Sequence, residues 1–225
     1  MNYEVNKEGI YKLDFELSII EREILSSCID FLLTKGMRYL SIPSTITTKT
    51  FVTQDIATDT FAYGEYDVLA GSAEQGILQY FSNTEVQPMN ICSENTCFRV
   101  EDHYNDLKNV KEFRKVEQFA FCTKEESHNT FNQLLKNALE FLEAIGISNY
   151  RLRDVTKSDP GYHKYKIDIE VWTDQYGWLE THSCSYFGEE QTKRYNITGA
   201  THTVSNTGIA VPRILIPIIE KRRER

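Results

Sequence analysis

Two short segments of this 225-residue chain carry the charged and aromatic side chains best placed to do chemistry. In the first, Arg99 and Glu101 lie two residues apart, so on a strand both would project from the same face. In the second, Phe113, Lys115 and Glu117 share a face by the same parity. One face would then offer cations, carboxylates and an aromatic ring. Taken alone, these residues fit a structural ion pair as well as a site for a charged substrate.

Two amphipathic helices are predicted among the elements that must position these residues. Apolar residues recur at helical spacing over residues 16–35 and again over 126–145. Gly36 and Gly146 follow these segments, at the place where a left-handed residue ends a helix. Each helix is therefore expected to lie with its apolar stripe against a sheet.

Alternation with a period of two predicts the strands of that sheet. Residues 165–172 alternate apolar and polar side chains, as a half-buried strand does. Residues 96–101 and 113–122 are predicted as two strands joined by a polar loop, which gives an antiparallel hairpin over 96–122. Helices packed on an antiparallel sheet form an α+β fold.

Length and composition favour a single domain over residues 1–225, because no repeat, low-complexity tract or linker interrupts the chain. The formal charge of −8 argues against a dedicated nucleic-acid-binding protein. Five cysteines without C-x-x-C spacing indicate free thiols in a reducing compartment. The first residues lack the apolar run of a signal peptide or a membrane span, so we expect a cytoplasmic protein without membrane attachment.

Several segments resemble, in one order along most of the chain, the motifs of class II aminoacyl-tRNA synthetases, and of the seryl enzyme in particular. The resemblance is specific because the pieces occur as an ordered set. The matching segments are about 16–45 for the dimer-forming first motif, 70–76 for the T-x-E substrate loop, 97–101 and 113–119 for the two ends of the second motif, 168–172 with 180–185 for the next strand pair, and 202–222 for the final strand and helix.

The resemblance implies an ATP-binding site with two catalytic arginines. Arg99 would bridge the carboxylate of an amino acid and the α-phosphate of ATP, and its planar donor fork would hold the two groups in line. Phe113 would stack on one face of adenine, while Arg213 covers the other face and reaches towards the phosphates. Glu101 would recognise the adenine.

The same resemblance implies a magnesium ion bound by Glu180 and Ser183, because hard oxygen ligands suit that cation. Residues three apart face opposite ways on a regular strand. Both side chains would therefore reach one ion only if the strand bends or ends near His182.

The amino-acid end of the site is implied to include Ser72, Glu74, Glu117 and Thr207 beside Arg99. The carboxylates would pair with the α-ammonium group and with a small polar side chain, while Ser72 and Thr207 would supply hydroxyl groups. The implied substrate is therefore a small polar amino acid, serine or a similar one.

The chain also departs from the family pattern. The loop inside the second motif is short, and the long N-terminal helical arm with which seryl enzymes bind tRNA has no counterpart. Asn109 stands where the family has an arginine that contacts the γ-phosphate, unless Lys108 or Lys111 replaces that contact. Tyr186 and Ser205 stand where the seryl enzyme tends to carry asparagine.

The expected function is ATP- and Mg²⁺-dependent formation of an aminoacyl adenylate, followed by transfer to a non-tRNA acceptor such as a carrier protein or a small molecule. The absent arm and the short loop argue against tRNA binding by the chain itself. Two alternatives stay open: tRNA charging with an arm supplied by another polypeptide, or a non-catalytic module that binds an amino acid or a nucleotide. The first motif further implies a homodimer.

Overall fold

The computed structural model describes residues 1–54, 61–104, 106–159 and 161–223. Its helices are α1 (Phe15–Thr34), α2 (Thr48–Gln54), α3 (Ala73–Tyr80), α4 (Ser127–Ala144), α5 (Glu190–Arg194) and α6 (Leu215–Arg223). Its strands are β1 (Tyr3–Val5), β2 (Tyr11–Leu13), β3 (Arg38–Tyr39), β4 (Thr45–Thr47), β5 (Ala62–Tyr63), β6 (Asp67–Leu69), β7 (Glu85–Val86), β8 (Met89–Phe98), β9 (Glu112–Cys122), β10 (Tyr150–Asp154), β11 (Tyr165–Thr173), β12 (Gly177–Gly188), β13 (Thr198–Gly199) and β14 (His202–Val211).

Seven strands form the main sheet, in the order β10-β11-β12-β14-β9-β8-β3. Neighbouring strands are antiparallel except β3 and β8, which run parallel. Shorter sheets pair β1 with β2, β7 with β13, and β6 with both β4 and β5. The predicted α+β fold, an antiparallel sheet flanked by helices, is confirmed.

The predicted helices are confirmed, with each bound shifted by one residue. The segment predicted as 16–35 forms α1, and the segment predicted as 126–145 forms α4. Gly36 and Gly146 follow them with φ of +81° and +82°, a conformation that glycine adopts without steric cost. The Asp14 carboxylate caps the first turn of α1.

One face of the main sheet is apolar and packs against α1, α4 and α6. Val116 of β9 and Ile209 of β14 are fully buried there, in one cluster with Leu17 and Leu32 from the apolar stripe of α1. Burial of such side chains is the dominant favourable term in folding. This half of the molecule therefore serves as the rigid support for whatever lies on the other face.

The opposite face of the sheet is polar at its centre. Lys115 and Glu117 of β9 lie on it, as the parity of that strand predicted, and β11 contributes Asp168 and Glu170. Asp168 and Glu170 are only 8% and 4% exposed. The strand predicted over 165–172 is confirmed as β11, but the expectation that it is only half buried was wrong, because side chains from neighbouring strands cover its polar face as well.

The first strand of the hairpin is shorter at its end than predicted. Strand β8 stops at Phe98, so Arg99 and Glu101 lie in the loop that follows and not on a strand face. The Tyr104 hydroxyl donates a hydrogen bond to the Arg99 carbonyl at 3.1 Å. The Arg99 carbonyl is therefore bonded to a side chain of the same loop. The prediction of a strand over 96–101 was wrong beyond that point.

A β-bulge changes which residues of β12 share a face. In the ladder between β11 and β12, Glu170 pairs with Glu180, whereas Asp168 pairs with Ser183. Since Asp168 and Glu170 are two apart on β11 and share a face, Glu180 and Ser183 share that face too. The irregularity near His182 that the magnesium prediction required is present.

Within the described parts of the chain, no helix combines the length and the apolar composition needed to cross a membrane. The five cysteines are free thiols, and all five are buried. Burial raises the pKa of each of these thiols, so none is poised as a thiolate nucleophile.

Candidate active site

A cavity of about 590 Å³ opens on the polar face of the main sheet. Its walls are the start of α3, the strands β9, β12 and β14, and the loop between β8 and β9. The structure brings together at this cavity every residue that the sequence placed in the site, while their roles stay predictions. These residues are Ser72, Glu74, Arg99, Glu101, Phe113, Glu117, Glu180, Ser183, Thr207 and Arg213.

A buried ion pair forms one wall of the cavity. Lys115 Nζ lies 2.5 Å from Glu117 Oε2, and both side chains are less than 10% exposed. Ser72 joins the pair, because its hydroxyl accepts from Lys115 at 2.9 Å and donates to Glu117 at 3.1 Å. Burial is the largest influence on Lys115 and lowers its pKa, but the surrounding groups, with the Glu117 carboxylate first among them, together raise the pKa above its usual value. Lys115 is therefore cationic at neutral pH.

Glu74 adds a second buried carboxylate beside this pair. It lies in the first turn of α3, and Ser72 is the N-cap residue of that helix. Its Oε1 accepts a hydrogen bond from Gln191 at 2.8 Å, and the Gln191 amide oxygen accepts one from Thr203 at 2.6 Å. Burial, and then the Glu117 charge, raise the pKa of Glu74 above its usual value. This end of the cavity therefore favours a bound cation.

The other end of the cavity is cationic. Arg213 is held by two backbone carbonyls, since its Nε donates to Lys108 at 3.1 Å and its Nη1 donates to Glu180 at 3.0 Å. The Arg99 guanidinium lies over the Phe113 ring, with its central carbon 5.3 Å from the ring centroid. The resemblance placed adenine on Phe113, so stacking on that face of the ring requires Arg99 to swing away from it.

The side chains of Asp168, Glu180 and Ser183 lie close together beside the bulge in β12. Ser183 donates to Asp168 Oδ1 at 2.7 Å, and burial together with the Glu180 charge raises the pKa of Asp168 to about 6. A carboxylate held under such repulsion favours a nearby divalent cation, and hard oxygens are the ligands that Mg²⁺ prefers. Within the described residues no group of three His, Cys, Asp or Glu could hold a metal ion. Magnesium here would therefore rely on Ser183 and on substrate phosphates as well.

Sequence reasoning assigned no site role to Lys115, Gln191 or Asp168. The first of these was visible in the parity of β9, because it alternates with Phe113 and Glu117. The other two act through hydrogen bonds from distant segments, and nothing local in the sequence marks them.

The two residues that stand where the seryl enzyme tends to carry asparagine lie on different faces of the sheet. Ser205 lines the cavity. Tyr186 does not: its ring stacks on His202 at a centroid distance of 6.0 Å and packs against the apolar cluster that contains Phe131 and Val204. Tyr186 therefore fills space beside the sheet and does not alter the pocket, because its neighbour Ser185 lines the cavity and successive residues of a strand face opposite ways.

Comparison with known proteins identifies the family. A family model described as the tRNA synthetase class II core domain (G, H, P, S and T) matches residues 63–222. The chain belongs to this family. This family assignment agrees with the ordered motifs that the sequence indicated and with the observed α+β fold.

The class II core is similar to the serine–tRNA ligase of Deinococcus radiodurans, with 31% identity over 95% of this chain and 56% of the relative. The serine–tRNA ligase of Thermoplasma acidophilum is 30% identical over 98% of this chain and 55% of its own length. The crystal structure of seryl-tRNA synthetase from Pyrococcus horikoshii complexed with ATP matches with a TM-score of 0.87 and 25% identity, over 95% of this chain and 53% of that one. The chain thus spans about half the length of the curated relatives it matches.

Replacing Glu74 with glutamine is predicted to stabilise the protein at pH 8 by about 1 kcal/mol, or a melting temperature about 2–4 °C higher. The pKa of Glu74 is raised on folding, so its charged form costs stability above that pKa, and the cost vanishes at low pH where the carboxyl is protonated. Thermal unfolding of wild type, Glu74→Gln and the exposed control Glu125→Gln should show a gain for Glu74→Gln at pH 8 that shrinks towards pH 4. A wild type more stable than Glu74→Gln at pH 8 would contradict the assignment.

Proposed function

We propose that this class II core domain uses ATP and Mg²⁺ to convert a small amino acid with a neutral side chain into an aminoacyl adenylate. One observation carries the proposal: a single cavity has buried carboxylates at one end and two arginines at the other. An amino acid has a cationic group on one side of its α-carbon and an anionic group on the other. It therefore fits this polarity in one orientation.

Charge balance at the carboxylate end supports the substrate class. Glu74 and Glu117 contribute two negative charges when ionised, and Lys115 contributes one positive charge, which leaves one negative charge. The α-ammonium group of the substrate neutralises it, and buried charges are stable only when they are paired. A charged substrate side chain would upset that balance, whereas the hydroxyls of Ser72 and Thr207 can hydrogen-bond a small polar one.

Adenylate formation needs the substrate carboxylate to attack the α-phosphorus of ATP, with pyrophosphate as the leaving group. Arg99 would hold both reacting groups, because its planar fork can bind a carboxylate and a phosphate oxygen side by side. Arg213, fixed by two carbonyls, offsets charge on the phosphates without having to reorganise. Glu180 and Ser183, with Asp168 beside them, would hold the magnesium ion, which further offsets the phosphate charge.

The acceptor we propose is a thiol of a carrier protein or a small molecule. Support comes from the short loop between β8 and β9, in which Tyr104 bonds to the Arg99 carbonyl, and from the net charge of −8, which repels a nucleic-acid backbone at long range. The alternative enzymatic function is tRNA charging, with the tRNA-binding arm supplied by another polypeptide. The buried free thiols further support the reducing, cytoplasmic location that we propose for the single domain over residues 1–225.

A non-catalytic binding module is the second candidate. Asn109 lines the cavity in place of an arginine, and Arg99 covers the ring on which adenine would stack. In that case the carboxylate end would bind an amino acid without ATP turnover.

ATP–pyrophosphate exchange, measured with Mg²⁺ and each of the twenty amino acids, tests the enzyme reading. We expect exchange with one small neutral amino acid and a loss of about 100-fold or more in Arg99→Ala, because that substitution removes a preorganised donor at the reacting atoms. The matched control is Arg153→Ala, an exposed arginine on β10 that is 58% solvent-accessible and lies outside the cavity lining.

Binding of an amino acid without exchange would establish the non-catalytic module and overturn the enzyme. Exchange that survives in Arg99→Ala would retain the enzyme but remove Arg99 from its role. Transfer of the activated acyl group to tRNA by the chain alone would contradict the proposed acceptor.

We further propose a homodimer built on the segment 16–45. Support comes from the exposed apolar side chains of α1 within that segment, of which Ile19 is 57% and Leu33 is 44% exposed. Light scattering at micromolar concentration should give a mass near twice that of the 26.2 kDa chain. A monomeric mass would contradict the dimer.

A further inference from the structure

Asp106 is the point at which three separate segments meet. It lies in the short 3-10 helix Asp106–Lys108 between β8 and β9, with a left-handed φ of +54°. Its Oδ2 accepts from the Tyr176 hydroxyl at 2.6 Å and from Gln175 Nε2 at 2.7 Å, and its carboxylate also bonds to the Tyr3 hydroxyl. The β11–β12 turn and the N-terminal strand β1 are thus tied to the rim of the cavity.

The residue that this junction presents to the cavity is Lys108. Its Nζ lies 5.3 Å from the centroid of the Tyr176 ring, so one tyrosine bonds Asp106 through its hydroxyl and holds the lysine cation on its face. The Lys108 carbonyl accepts the hydrogen bond from Arg213 Nε. The neighbouring Leu107 is fully buried, which fixes the backbone between Asp106 and Lys108.

Charge pairing distinguishes Lys108 from the other lysines of the cavity wall. Lys115 is paired with Glu117, and Lys166 is paired with Asp159. Lys108 has no carboxylate partner among the described residues, although it lines the cavity next to Arg213. A cation held in place without a counter-ion is suited to an anion from outside the protein.

Lys111, the other lysine of this loop, is held elsewhere. Its Nζ lies 5.6 Å from the ring centroids of both Phe61 and Tyr104, and it is not part of the cavity wall. Its backbone N–H donates to the Gly9 carbonyl at 2.9 Å, which ties it to the N-terminal hairpin.

We propose that Lys108 binds the outer phosphates of ATP and that Asp106 and Tyr176 are the positioning residues that present it. The inference rests on the proposed nucleotide site and adds a contact that Asn109 cannot supply. Because the β- and γ-phosphates are present in ATP and absent from AMP, the contact predicts selective binding of ATP over AMP at this position.

Isothermal titration of ATP and of AMP, both with Mg²⁺, tests the assignment. Lys108→Ala should weaken ATP binding by about tenfold, the effect of one lost charge-assisted contact, and leave AMP binding unchanged. Tyr176→Phe keeps the ring but removes the hydroxyl bond to Asp106, so it should weaken ATP binding by a smaller factor and also spare AMP. Lys111→Ala is the matched control and should change neither.

Each other outcome is decisive. If the wild type binds ATP and AMP but Lys108→Ala weakens both alike or neither, the phosphate contact is overturned and the proposed function stands. If Lys108→Ala behaves as expected but Tyr176→Phe leaves ATP binding unchanged, the positioning role is overturned. If the wild type binds neither nucleotide, both the proposed function and this inference fail.

Discussion

The buried charges of Glu74, Lys115 and Glu117 are the constraint on which the rest of the site depends. Charges removed from water are costly unless each is paired and hydrogen-bonded. Lys115 and Glu117 meet this condition through each other and through Ser72, whereas Glu74 is hydrogen-bonded by Gln191 and Ser205 and keeps a raised pKa. The protein alone therefore leaves an excess of negative charge at this end, and the ammonium group of an amino acid is the natural complement.

The sheet positions the carboxylates and the arginines at opposite ends of one cavity, so the two ends of the site differ in charge. Its apolar face packs on three helices, so the polar face can carry charge without losing support. Carboxylates come from the centre of β9 and the start of α3, while the arginines come from the loop after β8 and the turn after β14. The bulge in β12 then brings Glu180 and Ser183 to the same face. The proposed function depends on the positions of these carboxylates and arginines along one cavity.

Periodicity predicted the long helices and the parity of β9, because both depend on residues close together in sequence. Ordered motifs brought the ten site residues to attention, and all of them line one cavity. Features set by contacts between distant segments were not predicted. Among these features are the hydrogen bond from Tyr104 to the Arg99 carbonyl just after β8, the packing of Tyr186 against the apolar cluster that contains Phe131, and the hydrogen bond from Ser183 to Asp168 across the ladder.

A crystal structure with a non-hydrolysable aminoacyl-sulfamoyl adenosine would show whether the cavity binds an aminoacyl adenylate, since that molecule spans both ends of the cavity. We expect the ammonium group at Glu74 and Glu117, the sulfamoyl group against Arg99, and the adenine stacked on Phe113 after Arg99 has left that ring. The analogue bound in the reverse orientation, or outside the cavity, would contradict this expectation.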